Sequence, residues 1–293
     1  MTGAMPRRPS APATGREPED APASPEPDLP LPMLTPTSHH AEVSRPPGPP
    51  RVGIPPRRVE RGVVVFDLDG TLLDDLRLIS QVAADVLQAA FGTPAEEARI
   101  HYLATTGMPF EAQLSQLYPS APAELRAATA RTFHQRKVTE AYARAKPFPE
   151  VPKLLKRLSQ EAWTMAVSTG AETEMAVLLL EREGLRYWFE DVLGSSEGTK
   201  REHLAEYRRR FPEVPMFLVG DSRFDMEAAQ SVPGVRAVGR ASSIATWSLT
   251  PGDLERWGAA WADYQLTALP EELARLTAPT ARRAPRSRPA RKK

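Results

Sequence analysis

The first continuous apolar run in the chain is Val63-Val64-Val65-Phe66, and it leads directly into two acids, Asp67 and Asp69. A run rich in β-branched residues without polar alternation predicts a strand buried on both faces of a parallel sheet. Similar runs recur at 164–167 and 216–219, with weaker ones at 192–194 and 235–238. Helical spacing fills the intervals, at 151–160, 172–182, 201–210 and 226–230. Strand and helix alternate, which predicts an α/β fold with a doubly wound, Rossmann-like parallel sheet.

One stretch breaks the alternation. Residues 78–145 read as several amphipathic helices with no strand, as in the spacing of Leu78, Ile79, Val82, Val86 and Leu87. This predicts a small all-helical unit inserted after the first strand, with 59–77 and 146–276 forming the α/β core. Within the insert, Thr105-Thr106-Gly107-Met108-Pro109 is the clearest break. It reads either as a loop facing a site or as an ordinary interhelical turn.

Composition separates the ends from the body. About half of the 31 prolines fall in the first sixty residues, in runs such as Pro46-Pro47-Gly48-Pro49-Pro50. So little apolar surface does not offset the entropy of ordering, and residues 1–58 are expected to be disordered. A start at Met33 or later would leave the body whole. Residues 277–293 are read the same way; from Ala281 onward they carry seven basic residues and no acidic one. The basic end is expected to be a solvated tail, because no aromatic or folded reader accompanies it.

With a net charge of +1, the whole chain has no general attraction for nucleic acid or anionic membrane. No apolar run approaches the ~18 residues of a membrane span, and no secretory leader is evident. The absence of cysteine removes thiol nucleophiles and cysteine-ligated zinc, and it fits a reducing compartment. A cytoplasmic location is the expectation.

The candidate chemistry lies where the strands end. Alternation along an extended segment points Asp67 and Asp69 the same way, at the strand edge where open α/β sheets bind ligands. Two bare carboxylates there would repel each other, so a cation is expected. Gly70 then allows a sharp turn. Ser168-Thr169-Gly170 offers hydroxyls and backbone N–H groups after the second strong strand, either as a phosphate cradle or as a plain helix cap. Lys200 stands at the start of a helix, with Arg201 as a rival cation. In Gly220-Asp221-Ser222-Arg223-Phe224-Asp225, the two acids are about one helical turn apart. Hard oxygen ligands in this number suit Mg2+, whereas zinc would want histidine or cysteine.

Taken in order, these pieces resemble the haloacid dehalogenase superfamily, in particular the subgroup of phosphoglycolate phosphatases and β-phosphoglucomutases. The resemblance rests on Asp67-Leu68-Asp69-Gly70-Thr71-Leu72 and on Gly220 to Asp225, with Ser168 and Lys200 between them. It implies that residues 78–145 are a helical cap and that the chain is a Mg2+-dependent phosphatase. Asp67 would be the nucleophile that becomes an aspartyl phosphate, and Asp69 the general acid and base. Asp67, Asp69 (through its carbonyl) and Asp221 would hold the metal, with Asp225 in support. Ser168 and Lys200 would steady the phosphoryl group, and Thr106, Gly107, Ser168 and Thr169 would meet a small phosphorylated metabolite. Three departures stand out: Glu150 where relatives often have glycine, Asp75 where they often have serine, and an unusually long stretch from 240 to 258. A phosphomutase and a non-catalytic binding module of the same fold are the alternatives, but the first and fourth motifs are both whole.

Overall fold

The structure, a computed structural model, describes residues 60–244 and 247–278. The expected tail at 1–58 lies outside the described residues, as does that at 277–293 apart from its first two residues, of which Thr277 ends the last helix.

The apolar run forms β1 (Gly62–Phe66), whose five residues are all buried. A helical stretch follows: α1 (Leu76–Phe91), α2 (Ala95–Ala104), α3 (Phe110–Leu117) and α4 (Ala123–Arg136). Directly after α4 comes a π-helical turn, Lys137–Tyr142. The chain then continues as α5 (Val151–Gln160), β2 (Trp163–Ser168), α6 (Thr173–Arg182), β3 (Val192–Leu193), α7 (Lys200–Arg210), β4 (Met216–Gly220), α8 (Arg223–Gln230) and β5 (Val235–Arg240). The six-stranded sheet is completed by β8 (Ala259–Asp263), in the order β3-β2-β1-β4-β5-β8, with every pairing parallel.

The order explains the burial pattern. Strand β1 lies between β2 and β4, so both of its edges are paired, and packed layers cover both of its faces, which is why it reads as a continuous apolar run. Val64 and Phe66 face one layer with Leu155, Leu158 and Leu180, while Val63 and Val65 face the other with Leu204, Tyr207 and Met226. Because all strands run the same way, the residues just after β1, β2 and β4 share one edge of the sheet. The sequence places Asp67, Thr169 and Asp221 there.

The long stretch before the last strand has a local cause. Ser242–Ile244 (β6) and Trp247–Leu249 (β7) pair as an antiparallel ribbon. A short helix follows, α9 (Pro251–Arg256), opened by a capping box between Thr250 and Asp253, and then β8 (Ala259–Asp263) and α10 (Leu269–Thr277). Expected helices also begin earlier than their apolar spacing suggests. The first turns of α7 and α8 are polar and are fixed by caps, Thr199 with Glu202 and Ser222 with Asp225.

Where the chain returns from the helical stretch, Glu150 accepts from buried Arg240 at 2.7 Å. The Arg240 guanidinium lies 3.4 Å from the centroid of the Phe148 ring. Glu150 therefore ties this return segment to the end of β5. On the other side, Arg182 of α6 donates to the carbonyls of Tyr142 and Ala145, each at 2.7 Å.

Candidate active site

The loop after β1 is built around a buried acid. Asp75, fully buried, accepts from the Gly70 N–H at 3.0 Å and so closes the turn that carries Asp67 and Asp69. Gly70 has φ +74°, and a Cβ there would meet the Asp221 carboxylate at 2.6 Å, so this close approach requires glycine. Burial, followed by the neighbouring Asp69 charge, pushes the Asp75 carboxyl well above the ordinary range.

Three carboxylates converge on this edge. Asp67, Asp221 and Asp225, all buried, each offer an oxygen within 4.8 Å of the others. Lys200 reaches into the group from the start of α7, with Nζ 2.8 Å from Asp67 Oδ1 and donating to Asp225 Oδ1. The other oxygen of Asp225 accepts from the Ser222 N–H at 3.1 Å and hydroxyl at 2.5 Å, so Asp225 both caps α8 and anchors the lysine. Arg201, the rival cation, is exposed. Asp221 accepts from the Thr71 hydroxyl at 3.4 Å through Oδ1, while its Oδ2 is buried with no hydrogen-bond partner.

These acids suit a divalent cation. Burial pushes the Asp67 carboxyl up to about 6, with Lys200 opposing and Asp225 reinforcing the rise. Burial and the Asp67 charge push Asp221 well above its ordinary value. A cluster of oxygen donors, one orphaned and two reluctant to ionise without a counter-charge, is chemically matched to a hard ion such as Mg2+.

A pH dependence follows for the metal-free protein. Asp67 holds its proton more tightly folded than unfolded, so its contribution to stability is full below about pH 4 and is lost as pH rises through about 6. Asp67→Asn is therefore expected to melt higher than wild type at pH 7.5, by an amount on the order of 1–3 kcal/mol, with the gap closing toward pH 4. Metal-free melting curves of both proteins across that range check this; a gap independent of pH would contradict it.

The fourth expected acid behaves differently. The Asp69 carboxylate is not one of the three-acid group, and its contacts are with the helical stretch. There its Oδ2 accepts from Lys137 Nζ at 2.7 Å and from the Tyr142 hydroxyl at 2.8 Å. Side-chain convergence of all four acids, as the strand alternation implies, is therefore not what is seen: Asp67, Asp221 and Asp225 form the group, and Asp69 is engaged by Lys137 and Tyr142. Lys137 and Tyr142 lie at the two ends of the π-helical turn, and sequence reasoning missed both. A basic and an aromatic residue on a helix carry no signal of their own, and the wider winding that presents both to one carboxylate is not visible in the spacing.

Ser168 closes β2 and is fully buried, with its Oγ 2.8 Å from Nδ1 of His203. Thr169, also buried, accepts through Oγ1 from the Ala171 N–H at 3.1 Å, which shapes the turn. Between α2 and α3, Thr106 donates to the Tyr102 carbonyl at 3.2 Å. Gly107, with φ +93°, lies against the α8 start: a Cβ would meet Ser222 Oγ at 2.5 Å and Phe224 Cβ at 3.1 Å. The loop is a turn between two helices, and this contact sets it beside the start of α8. Gly107→Val is expected to cost ~1–3 kcal/mol through strain at a left-handed position and to displace the Ser222–Asp225 cap. Thermal melting of the purified variant measures this, and an unchanged midpoint would show that the loop lifts freely.

A parallel α/β sheet with this acidic edge defines a class, and the comparisons agree with it. Residues 64–239 match the haloacid dehalogenase-like hydrolase family. The chain belongs to that family, and within it resembles the phosphoglycolate phosphatases. It is 30% identical over 182 residues to the phosphoglycolate phosphatase of Vibrio cholerae, covering 58% of this chain and 80% of that one. To the phosphoglycolate phosphatase of Rhodobacter capsulatus it is 27% identical over 213 residues, covering 66% of this chain and 97% of the other. Among solved structures, the haloacid dehalogenase-like family hydrolase SP0104 of Streptococcus pneumoniae superposes with a TM-score of 0.57 at 20% identity, covering 74% of this chain and 98% of that one; this similarity concerns the fold. No helix among the described residues is long and apolar enough to cross a membrane.

Proposed function

We propose that this chain is a Mg2+-dependent phosphatase that hydrolyses a small phosphorylated metabolite through an aspartyl phosphate on Asp67. The observation that carries the reading is the juxtaposition of a buried carboxylate, two further acids and one lysine at the edge of the sheet. Asp67, Asp221 and the Asp69 carbonyl would hold Mg2+, with Asp225 in support. When bound, the ion would neutralise phosphate charge and the crowding of the acids.

The residues divide the work in two halves. An Asp67 oxygen attacks phosphorus and the ester P–O bond breaks, while Asp69 gives its proton to the departing oxygen. Water then attacks the aspartyl phosphate, Asp69 takes the proton, and Asp67 is regenerated as inorganic phosphate leaves. Lys200, 2.8 Å from Asp67, offsets the charge gathering on the transferring group. Ser168 donates to a phosphoryl oxygen from the neighbouring strand.

In this reading, residues 78–145 act as a cap over the site. The contacts of Lys137 and Tyr142 with Asp69, and of Gly107 with Ser222, support it. Asp67 is 6% exposed, so a small ester suits the site better than a phosphorylated protein segment. Substrate contacts at Thr106, Gly107 and Thr169 belong to the same reading. A Lys137→Met, Tyr142→Phe double variant is expected to lose roughly 10–100-fold in kcat/KM, because Asp69 would lose both side chains that orient it. Unchanged steady-state kinetics would remove the pair from turnover.

The test of the function is a panel of small phosphate esters, phosphoglycolate and hexose phosphates among them, assayed with and without Mg2+. Both free phosphate and isomerised product are measured. Metal-dependent phosphate release from at least one ester is expected. Isomer formation without phosphate release would replace the phosphatase with a mutase, and neither product would defeat both.

A further inference from the structure

Helix α7 brings two groups to the site. Its start is fixed by the reciprocal bonds of Thr199 and Glu202, and the His203 N–H donates to the Thr199 carbonyl at 3.0 Å. Lys200 and His203 are three residues apart and therefore share a helix face. The lysine reaches Asp67 and Asp225, while the imidazole Nδ1 of His203 lies 2.8 Å from Ser168 Oγ. Both Ser168 and His203 are buried, at 0% and 3% exposure, so bulk water does not substitute for either partner.

A serine hydroxyl has one proton and two lone pairs, whereas each imidazole nitrogen either carries a proton or accepts one. If bare Nδ1 accepted from Ser168, the only proton of the hydroxyl would be spent on the histidine. Ser168 would then present lone pairs to an anionic phosphoryl oxygen, which is repulsive. If Nδ1 carries the proton and donates to Oγ, the hydroxyl proton is left to turn toward the phosphoryl group. We infer that His203 is a positioning residue that holds Nδ1–H against Ser168 Oγ and thereby sets the direction of the serine hydroxyl. The inference rests on the phosphatase reading of Ser168 given above. This contact joins α7 to the end of β2, so the partner of the hydroxyl and the lysine come from one helix.

Two arms test this separately. In the first, the wild-type chain is labelled with 15N and the His203 ring nitrogens are assigned by loss of their signals in a His203→Asn protein. Protonated Nδ1 is expected across the active pH range, and bare Nδ1 would overturn the inference whatever the activity. The second arm uses kinetics with an ester found active in the panel. His203→Leu is expected to lower kcat/KM by roughly 10–100-fold. His203→Asn, whose amide NH2 takes the place of Nδ1–H, should recover much of that loss, while His203→Gln, with its NH2 one atom further out, should not. In a Ser168→Ala background, His203→Leu should cost nothing more, because its effect passes through the hydroxyl. An equal loss in both backgrounds, or wild-type kinetics for His203→Leu, would overturn the inference while leaving the phosphatase intact. Full activity of Ser168→Ala would instead remove Ser168 from the reaction and the inference with it. A wild-type chain inert toward every ester would defeat the proposed function, and the NMR arm would still report where the proton sits. Should His203→Leu fail to fold, the contrast between Asn and Gln together with the NMR arm decides.

Discussion

Asp67→Asn is expected to abolish phosphate release, with a fall in kcat of ~10⁴-fold or more, the scale seen when a covalent nucleophile is removed. The substitution keeps the shape of the side chain and takes away both the attacking electron pair of an anion and one oxygen from the three-acid group. The fold should survive, because the change relieves a buried carboxyl whose ionisation is opposed by its surroundings. Activity and stability should therefore move in opposite directions at neutral pH, a combination that rules out unfolding as the cause of inactivity. A companion measurement separates the two halves of the reaction. With p-nitrophenyl phosphate, whose leaving group needs little protonation, Asp69→Asn should still form the aspartyl phosphate but hydrolyse it slowly, since no base activates the water. Acid-quenched protein should then carry one phosphoryl group in Asp69→Asn and none in Asp67→Asn. Phosphate release at the wild-type rate by pure Asp67→Asn protein would remove the covalent scheme.

Much of this site was legible in the sequence because its parts are tied to strand ends. Val63 to Phe66 must be buried on both faces, so the next polar residue emerges at the sheet edge; the same holds for Ser168 at the end of β2 and Asp221 after β4. A period in the sequence becomes a position in space with no further information. The alternation of strands and helices likewise dictates a parallel sheet, since parallel neighbours require crossovers.

What was not legible depends on contacts between distant segments. Lys137 is separated from Asp69 by 68 residues, and no local rule distinguishes it from the other basic residues of the helical stretch. Its aim comes from the winding of one turn, which the side-chain alphabet does not encode strongly. His203 sits in a helix whose last turn carries Arg208, Arg209 and Arg210, so polarity alone assigns its face to solvent. Only the packing of Leu204 and Tyr207 against the sheet turns that side inward. Asp75 is a third case: nothing local marks an acid in a loop for burial, yet here it is wholly buried, accepting from the Gly70 N–H that also reaches the Leu73 carbonyl.

Lys200→Ala should be the most damaging single change to the metal-free fold. The Nζ of Lys200 is the cation that touches both Asp67 and Asp225, and the lysine side chain is itself only 14% exposed. Removing one partner from a buried ionic cluster typically costs ~3–5 kcal/mol, because the remaining charges stay buried without compensation. For a folded body of this size, each kcal/mol corresponds to about 2–4 °C, so the melting point should fall by roughly 6–20 °C in chelator. Part of that loss is regained if the acids take up protons, which predicts a smaller deficit at pH 5 than at pH 8. Mg2+ should restore the variant more than it raises wild type, since the ion brings positive charge to the same carboxylates. Activity is expected to stay low even in saturating Mg2+, by ~10²–10³-fold, because the ion does not occupy the place from which the ammonium faces the transferring phosphoryl group. The decisive comparison is melting temperature in chelator and in Mg2+ for wild type and variant together. If the two proteins melt alike in chelator, the three acids do not depend on the lysine for their burial. The site would then be held together by the capping bonds of Asp225 and the turn around Gly70 alone.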